Sequence, residues 1–162
     1  MKYQRLSNTE LENLKDDFIR FLASQGIDAD LWQKMKADEL DKAEEIIDIY
    51  SDLVYDQALS KCKYLEHVSA KEFKTIEFRD DEAWVQGIRV KPNSEINLNT
   101  NKFQESVQEG LTRDEVEVFT ASKKYQNIRE QEMFEWIQKG AYMTDDKWFN
   151  EITRLLQHLK NQ

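Results

Sequence analysis

Four carboxylates stand four residues apart in one stretch of the chain: Glu44, Asp48, Asp52 and Asp56. Carboxylate oxygens accept from Lys and Arg and ligate hard cations, so such a row on one helix face is a candidate rail for a basic partner or for cations. The row lacks the loop carbonyls and rigid turn of a calcium-binding motif. Like charges at this spacing also repel, weakening an isolated helix by roughly a few tenths of a kcal/mol per pair. The alternative is a solvated face neutralised by Lys123, Lys124 or Arg129 of the same chain.

Other reactive side chains are sparse. His67 could serve as a general base beside Glu66, and Cys62, five residues earlier, as a nucleophile. Yet a lone imidazole without a nucleophile defines no reaction. Cys62 falls at the carbonyl end of its helix, which opposes a thiolate, so it reads as a small buried hydrophobe. His67 reads in the same way as a strand histidine with a backbone partner. The four glycines, Gly26, Gly87, Gly110 and Gly140, are scattered, which excludes both the dinucleotide fingerprint and the phosphate-binding loop. The second histidine, His158, lies far from His67, and no helical Glu-x-x-His occurs, so no bound metal or cofactor is expected. A second candidate surface is apolar. Met133 and Trp136 fall off the face made by Tyr125, Ile128, Phe134, Ile137 and Ala141, which means burial on two sides or a partner surface.

These residues sit on elements that the spacing defines. Ser7 and Glu10 form a capping box, Leu6 and Leu11 a hydrophobic staple, and Leu11, Leu14, Phe18, Phe21 and Leu22 one helical face stopped by Gly26. Asp28 or Asp30 opens a short helix through Leu31, Trp32 and Met35, and Asp38 caps a long helix running to Cys62. That helix carries the longest apolar face of the chain, Leu40, Ala43, Ile46, Ile47, Tyr50, Leu53, Val54, Ala58 and Leu59. After Cys62 the period shortens. Residues 64–68, 73–78 and 83–90 read as strands of an antiparallel meander, with a polar turn at 79–82 and Gly87 marking a bulge or a close backbone approach. Residues 92–113 form a polar loop with a short helix over Lys102–Glu109. Residues 115–120 alternate as a fourth strand, a helix capped by Thr112 being the competing reading. Two helices close the chain, one ending at Gly140 and one capped by Thr144. Strands grouped between helical blocks predict a single α+β domain: helical over 1–62, mainly strands over 63–121, helical over 122–162.

Composition narrows the partners. The chain has 162 residues, a net charge of −9 and 40% hydrophobic residues. The surplus of acid lies in the first 121 residues, and no basic footprint for nucleic acid is present. Apolar runs are too short for a bilayer span, and the first residues, MKYQRLSNTEL, carry no apolar signal region. One cysteine excludes an intramolecular disulfide, and the expected compartment is the cytoplasm.

Met1-Lys2-Tyr3 with Arg5-Leu6, Phe21-Leu22-Ala23 through Gly26-Ile27 to Trp32, Ala43-Glu44-Glu45-Ile46 and Tyr64-Leu65-Glu66 resemble an uncharacterised family of Bacteroidetes proteins. Lys124-Tyr125, Arg129-Glu130, Met133-Phe134 and Gly140-Ala141 continue the resemblance over nearly the whole chain. Where that family is expected to place Pro after the Gly-Ile pair, this chain has Asp28. The resemblance implies a domain of unknown function and transfers no catalytic residue. The sequence therefore predicts a non-catalytic binding or adaptor domain, acting on a basic protein surface or on itself. Its candidate surfaces are Glu44, Asp48, Asp52 and Asp56 on one side and Met133 with Trp136 on the other. A small-molecule binder or enzyme with an acidic, aromatic cleft between sheet and helices is the alternative.

Overall fold

A computed structural model describes residues 1–99, 105, 112 and 114–161. Their fold is α+β, with six helices and five strands among the described residues. The chain forms two compact units, Met1–Ala58 and Leu59–Gln162, and no described helix is long and apolar enough to cross a membrane.

The first unit is helical. Helix α1 (Asn8–Asn13) opens on the predicted capping box, with Ser7 N–H donating to Glu10 Oε2 at 2.7 Å and Glu10 N–H to Ser7 Oγ at 3.3 Å. The expected single helix to Gly26 is two. The helical path breaks at Leu14 (φ −102°, ψ 16°), and α2 spans Lys15–Ser24. Gly26, at φ +74°, ends α2: Ile27 N–H reaches Leu22 O and Gly26 N–H reaches Ala23 O, the paired bonds of a Schellman cap. Helix α3 (Ala29–Asp38) takes Asp28 as its cap, the carboxylate accepting from Leu31 N–H at 2.8 Å. Helix α4 (Leu40–Lys61) begins after Glu39, whose carbonyl accepts from Lys42 and Ala43; Asp38 is the last residue of α3 and does not cap α4. The rings of Phe18 and Phe21 gather on Tyr50 at 4.9 and 5.2 Å, and Phe18 stands edge-on to Trp32 at 5.4 Å.

The second unit is an antiparallel sheet in the order β4-β3-β2-β1-β5. Strands β1 (Tyr64–Val68), β2 (Glu72–Phe78) and β3 (Glu82–Val90) form the expected meander. Strand β4 (Val116–Lys124) settles the open reading of residues 112–121. Thr112 does bond Glu115 as a helix cap would, but the chain leaves that turn extended. Cross-strand burial of Val116 against Val90 outweighs one turn of capping. The strand also runs on to Lys124, beyond the predicted end. Gly87 sits in unbroken register with Phe119, so it marks close approach and no bulge; an added Cβ would lie 2.8 Å from Phe73 O. The predicted helix over Lys102–Glu109 lies outside the described residues, Glu105 apart.

Helix α5 (Arg129–Gln138) starts four residues later than the periodicity suggests, leaving Tyr125 in the preceding turn. There its hydroxyl donates to Arg79 O and Glu82 O, and burial pushes it up to about 12. Gly140 at φ +99° closes α5 with a second Schellman cap, Ala141 N–H reaching Trp136 O. A fifth strand unseen in the sequence follows, β5 (Tyr142–Thr144), so Thr144 pairs with Tyr64 instead of capping the last helix. Three residues are too few for a visible alternation. Helix α6 (Lys147–Lys160) then packs on one sheet face, where Phe73, Ile88, Val90, Leu98, Val116 and Ile152 form the core. Trp136 beside His67 and Lys74 places α5 on the other face.

Candidate functional site

A sizeable concave surface lies within the helical unit. Helices α1, α2 and α3 enclose an apolar groove of about 630 Å³, within the size range of ligand pockets. Its floor is Phe18, Leu22 and Trp32, and its walls are Leu11, Ile19, Ala23 and Ile27. The amphipathic period puts these side chains on one side of α2, while the Gly26 turn folds α3 back so that Trp32 meets Phe18. Leu22 is buried at its base, and Ile19, 53% exposed, stands at its lip.

Four charged residues mark the rim. Glu12 and Lys15 pair at 3.8 Å, and Asp28 is engaged by Leu31 N–H as the helix cap. Lys36 makes no ion pair among the described residues; its ammonium stands 5.9 Å from the Trp32 ring centroid. Nothing in this lining orients a polar group towards a reacting atom. What the groove can do is bury apolar side chains, each contributing roughly 1.5–3 kcal/mol on full transfer from water.

The acidic row is built otherwise. Its carboxylates do project from one side of α4, and the segment Lys2–Leu6 lies along them. Lys2 N–H donates to Asp52 at 2.6 Å and Lys2 Nζ to Asp56 at 2.5 Å; Tyr3 N–H reaches Asp52 at 2.9 Å and Tyr3 OH reaches Asp56 at 2.6 Å. Arg5 bonds Asp48 at 2.5 Å and lies 3.7 Å from Glu44. Leu6 N–H ends the strap on Ser51 Oγ at 3.1 Å, with Ser51 fully buried. The Arg5 bond holds the Asp48 carboxyl below its ordinary range; at Asp56 burial pushes upward, but the bonds from Lys2 and Tyr3 outweigh it. Neutralisation within the chain was the structural alternative for this row, but the partners are Lys2, Tyr3 and Arg5. Lys123 instead pairs with Glu132 at 3.1 Å. Arg129 donates to the carbonyls of Leu59, Cys62 and Phe78, joining the end of α4, the end of β2 and the start of α5.

The apolar pair on α5 separates as well. Met133 has no exposed surface and belongs to the core. Trp136 is half-buried, with Lys74 and Lys139 at 5.7 and 5.8 Å from its ring centroid and His67 edge-on at 6.4 Å. Glu66 and His67 point to opposite faces of β1. Glu66, 4% exposed, accepts from Tyr142 OH at 2.7 Å and Thr144 Oγ1 at 3.0 Å, and burial together with that bond drives the Tyr142 hydroxyl upward. His67 Nε2 meets Lys139 O at 3.2 Å at the end of α5, and its Nδ1 is buried without a partner among the described residues. Cys62 Sγ contacts Tyr64 O at 3.2 Å. Among the described residues no three His, Cys, Asp or Glu side chains gather as a metal site.

Sequence reasoning missed the groove. Its signal was present in Ile19, Ala23 and Ile27, apolar residues beside the face assigned to the first helix, but their convergence with Trp32 depends on the α2–α3 turn.

The architecture is thus an α+β protein with a sizeable, mainly apolar groove in its helical unit. A family model matches residues 1–157, and the chain belongs to that family, a family of unknown function (DUF6495). Comparison with curated proteins and with solved structures finds no match.

Proposed function

We propose that this protein is a non-catalytic cytoplasmic binding module that acts through protein contacts, and that the α1–α3 groove receives an amphipathic helix of its partner. The observation that carries this reading is the division of the groove lining. Its apolar residues are aliphatic and aromatic, and its charged residues, Glu12, Lys15, Asp28 and Lys36, are all exposed. A metabolite site or catalytic centre needs polar groups converging on the ligand. A helix with anchors at i, i+3, i+4 and i+7 supplies an apolar face and keeps its polar back in water. The acidic row supports the same choice of surface, because a basic partner would first have to displace Lys2 and Arg5 from it.

Ile19→Glu tests the proposal. The side chain is exposed, so the substitution leaves the packing of α2 intact while placing a charge at the lip. Titration calorimetry with helical peptides selected on the wild-type protein should show at least about a tenfold loss for the variant. Equal affinity, with unchanged circular dichroism, would remove the groove from the function.

A further inference from the structure

Among the described residues, the groove lining carries one charged side chain with neither an ion pair nor a capping bond, Lys36. Glu12 and Lys15 face each other, and Asp28 is held by its own helix. Lys36 stands beside the Trp32 ring, its ammonium 5.9 Å from the centroid. Lys36 is exposed, and an ammonium beside an aromatic ring at the border of an apolar cleft retains donors directed outwards. It can therefore pair with a carboxylate, and it lies where the flank of a seated helix would pass. The geometry points to a partner helix that carries Asp or Glu about one turn from its apolar anchors, positioned to meet Lys36 while the anchors enter between Phe18, Ile19 and Trp32. This specificity rests on the groove being the binding surface, as proposed above, and adds the sign of the partner's flank. Short-range pairing at Lys36 sets that preference against the acidic charge of the whole chain, whose repulsion is screened within about 8 Å at physiological ionic strength.

The test is a displayed library of amphipathic helices of about 16 residues, with Leu on one face and the flanking positions randomised among Glu, Gln and Lys. It is selected against the wild type, Lys36→Gln, Lys36→Glu and Ile19→Glu. Glu should be enriched at one flank on the wild type, the preference should vanish on Lys36→Gln, and it should turn to Lys on Lys36→Glu. Individual peptides should differ roughly two- to tenfold in affinity. Peptides lost on Ile19→Glu but indifferent to the charge at position 36 would overturn this inference and leave the groove as the surface. Failure of every helix to bind, or retention unchanged by Ile19→Glu, would overturn the groove reading as well. Saturable binding of laurate at the groove without any helix, or burial of the groove in a dimer by sedimentation, would replace the partner helix with those occupants.

Discussion

Two surfaces of the Met1–Ala58 unit are made of opposite materials. On α4 four carboxylates form the most conspicuous pattern in the sequence, and the chain covers them with its own Lys2–Leu6 segment. Between α1, α2 and α3 lies a groove whose residues form no motif, and its apolar wall reaches the surface at Ile19. Charge pattern alone thus points to a face that the chain itself already covers. Repulsion between carboxylates at i,i+4 is relieved by any nearby cation, and an extended strap from the same chain supplies one without the cost of association. An apolar groove has no equivalent remedy on the surface of one unit. Its exposed area is stabilised only by something that fits it.

This contrast can be broken at the strap. The double variant Lys2→Glu, Arg5→Glu sets like charges against Asp48 and Asp56 and should give the largest effect. Hydrogen exchange of α4 amides should accelerate and thermal unfolding should come earlier, with the loss diminished at high salt because these pairs are exposed. Adding Asp48→Lys should recover part of the stability, since it restores opposite charges at one pair. No change in exchange would mean that the row does not hold the strap, and the row would again be an available surface.

Acid should produce a smaller effect of the same kind. Asp48 and Asp56 are held below their ordinary value of 3.8 in the folded protein. The stability they contribute is complete above that unfolded value and disappears as pH falls through the lower folded values. The protection of α4 amides relative to their intrinsic exchange rate at each pH should therefore be flat around neutrality and fall only in the acid range below about 4. A transition near pH 6 would assign the strap to a different group.

The smallest change is expected from Ser51→Ala. Ser51 Oγ accepts the Leu6 N–H in a fully buried position, and its removal leaves that donor unmatched at a cost of about 1 kcal/mol by chemical denaturation. A neutral result would show that the strap is held by charge alone.

The sheet unit shows how far local signals reach. The β1–β3 meander was legible because alternation and a four-residue polar turn act between neighbours in sequence. The Ser7/Glu10 box and the glycine stops at 26 and 140 were legible for the same reason. β5 was not, because three residues carry no period and their pairing is decided by the Glu66 carboxylate, which accepts from Tyr142 and Thr144. Likewise Glu132, which looks like a surface residue in the helical pattern, is 5% exposed and accepts from Gln126 and Asn127 N–H and from Lys123. Met133 follows from the same packing: it is buried in the core, while Trp136 on the same face stays half-buried.

By itself the sequence determined most of the stretches that are helix or strand, where several of them stop, and that dinucleotide and phosphate-loop motifs are absent. These follow from side-chain period, capping and backbone freedom, all of which operate over a few residues. The tertiary structure decided which charge meets which: Lys2 finds Asp56 across 54 positions, and Arg129 finds Leu59 O across 70. It also decided which apolar side chains go inside and which, like Ile19, are left at the lip of a groove. Those outcomes depend on the path of the chain through turns such as the one at Gly26, and a pairing between distant groups leaves no period in the sequence.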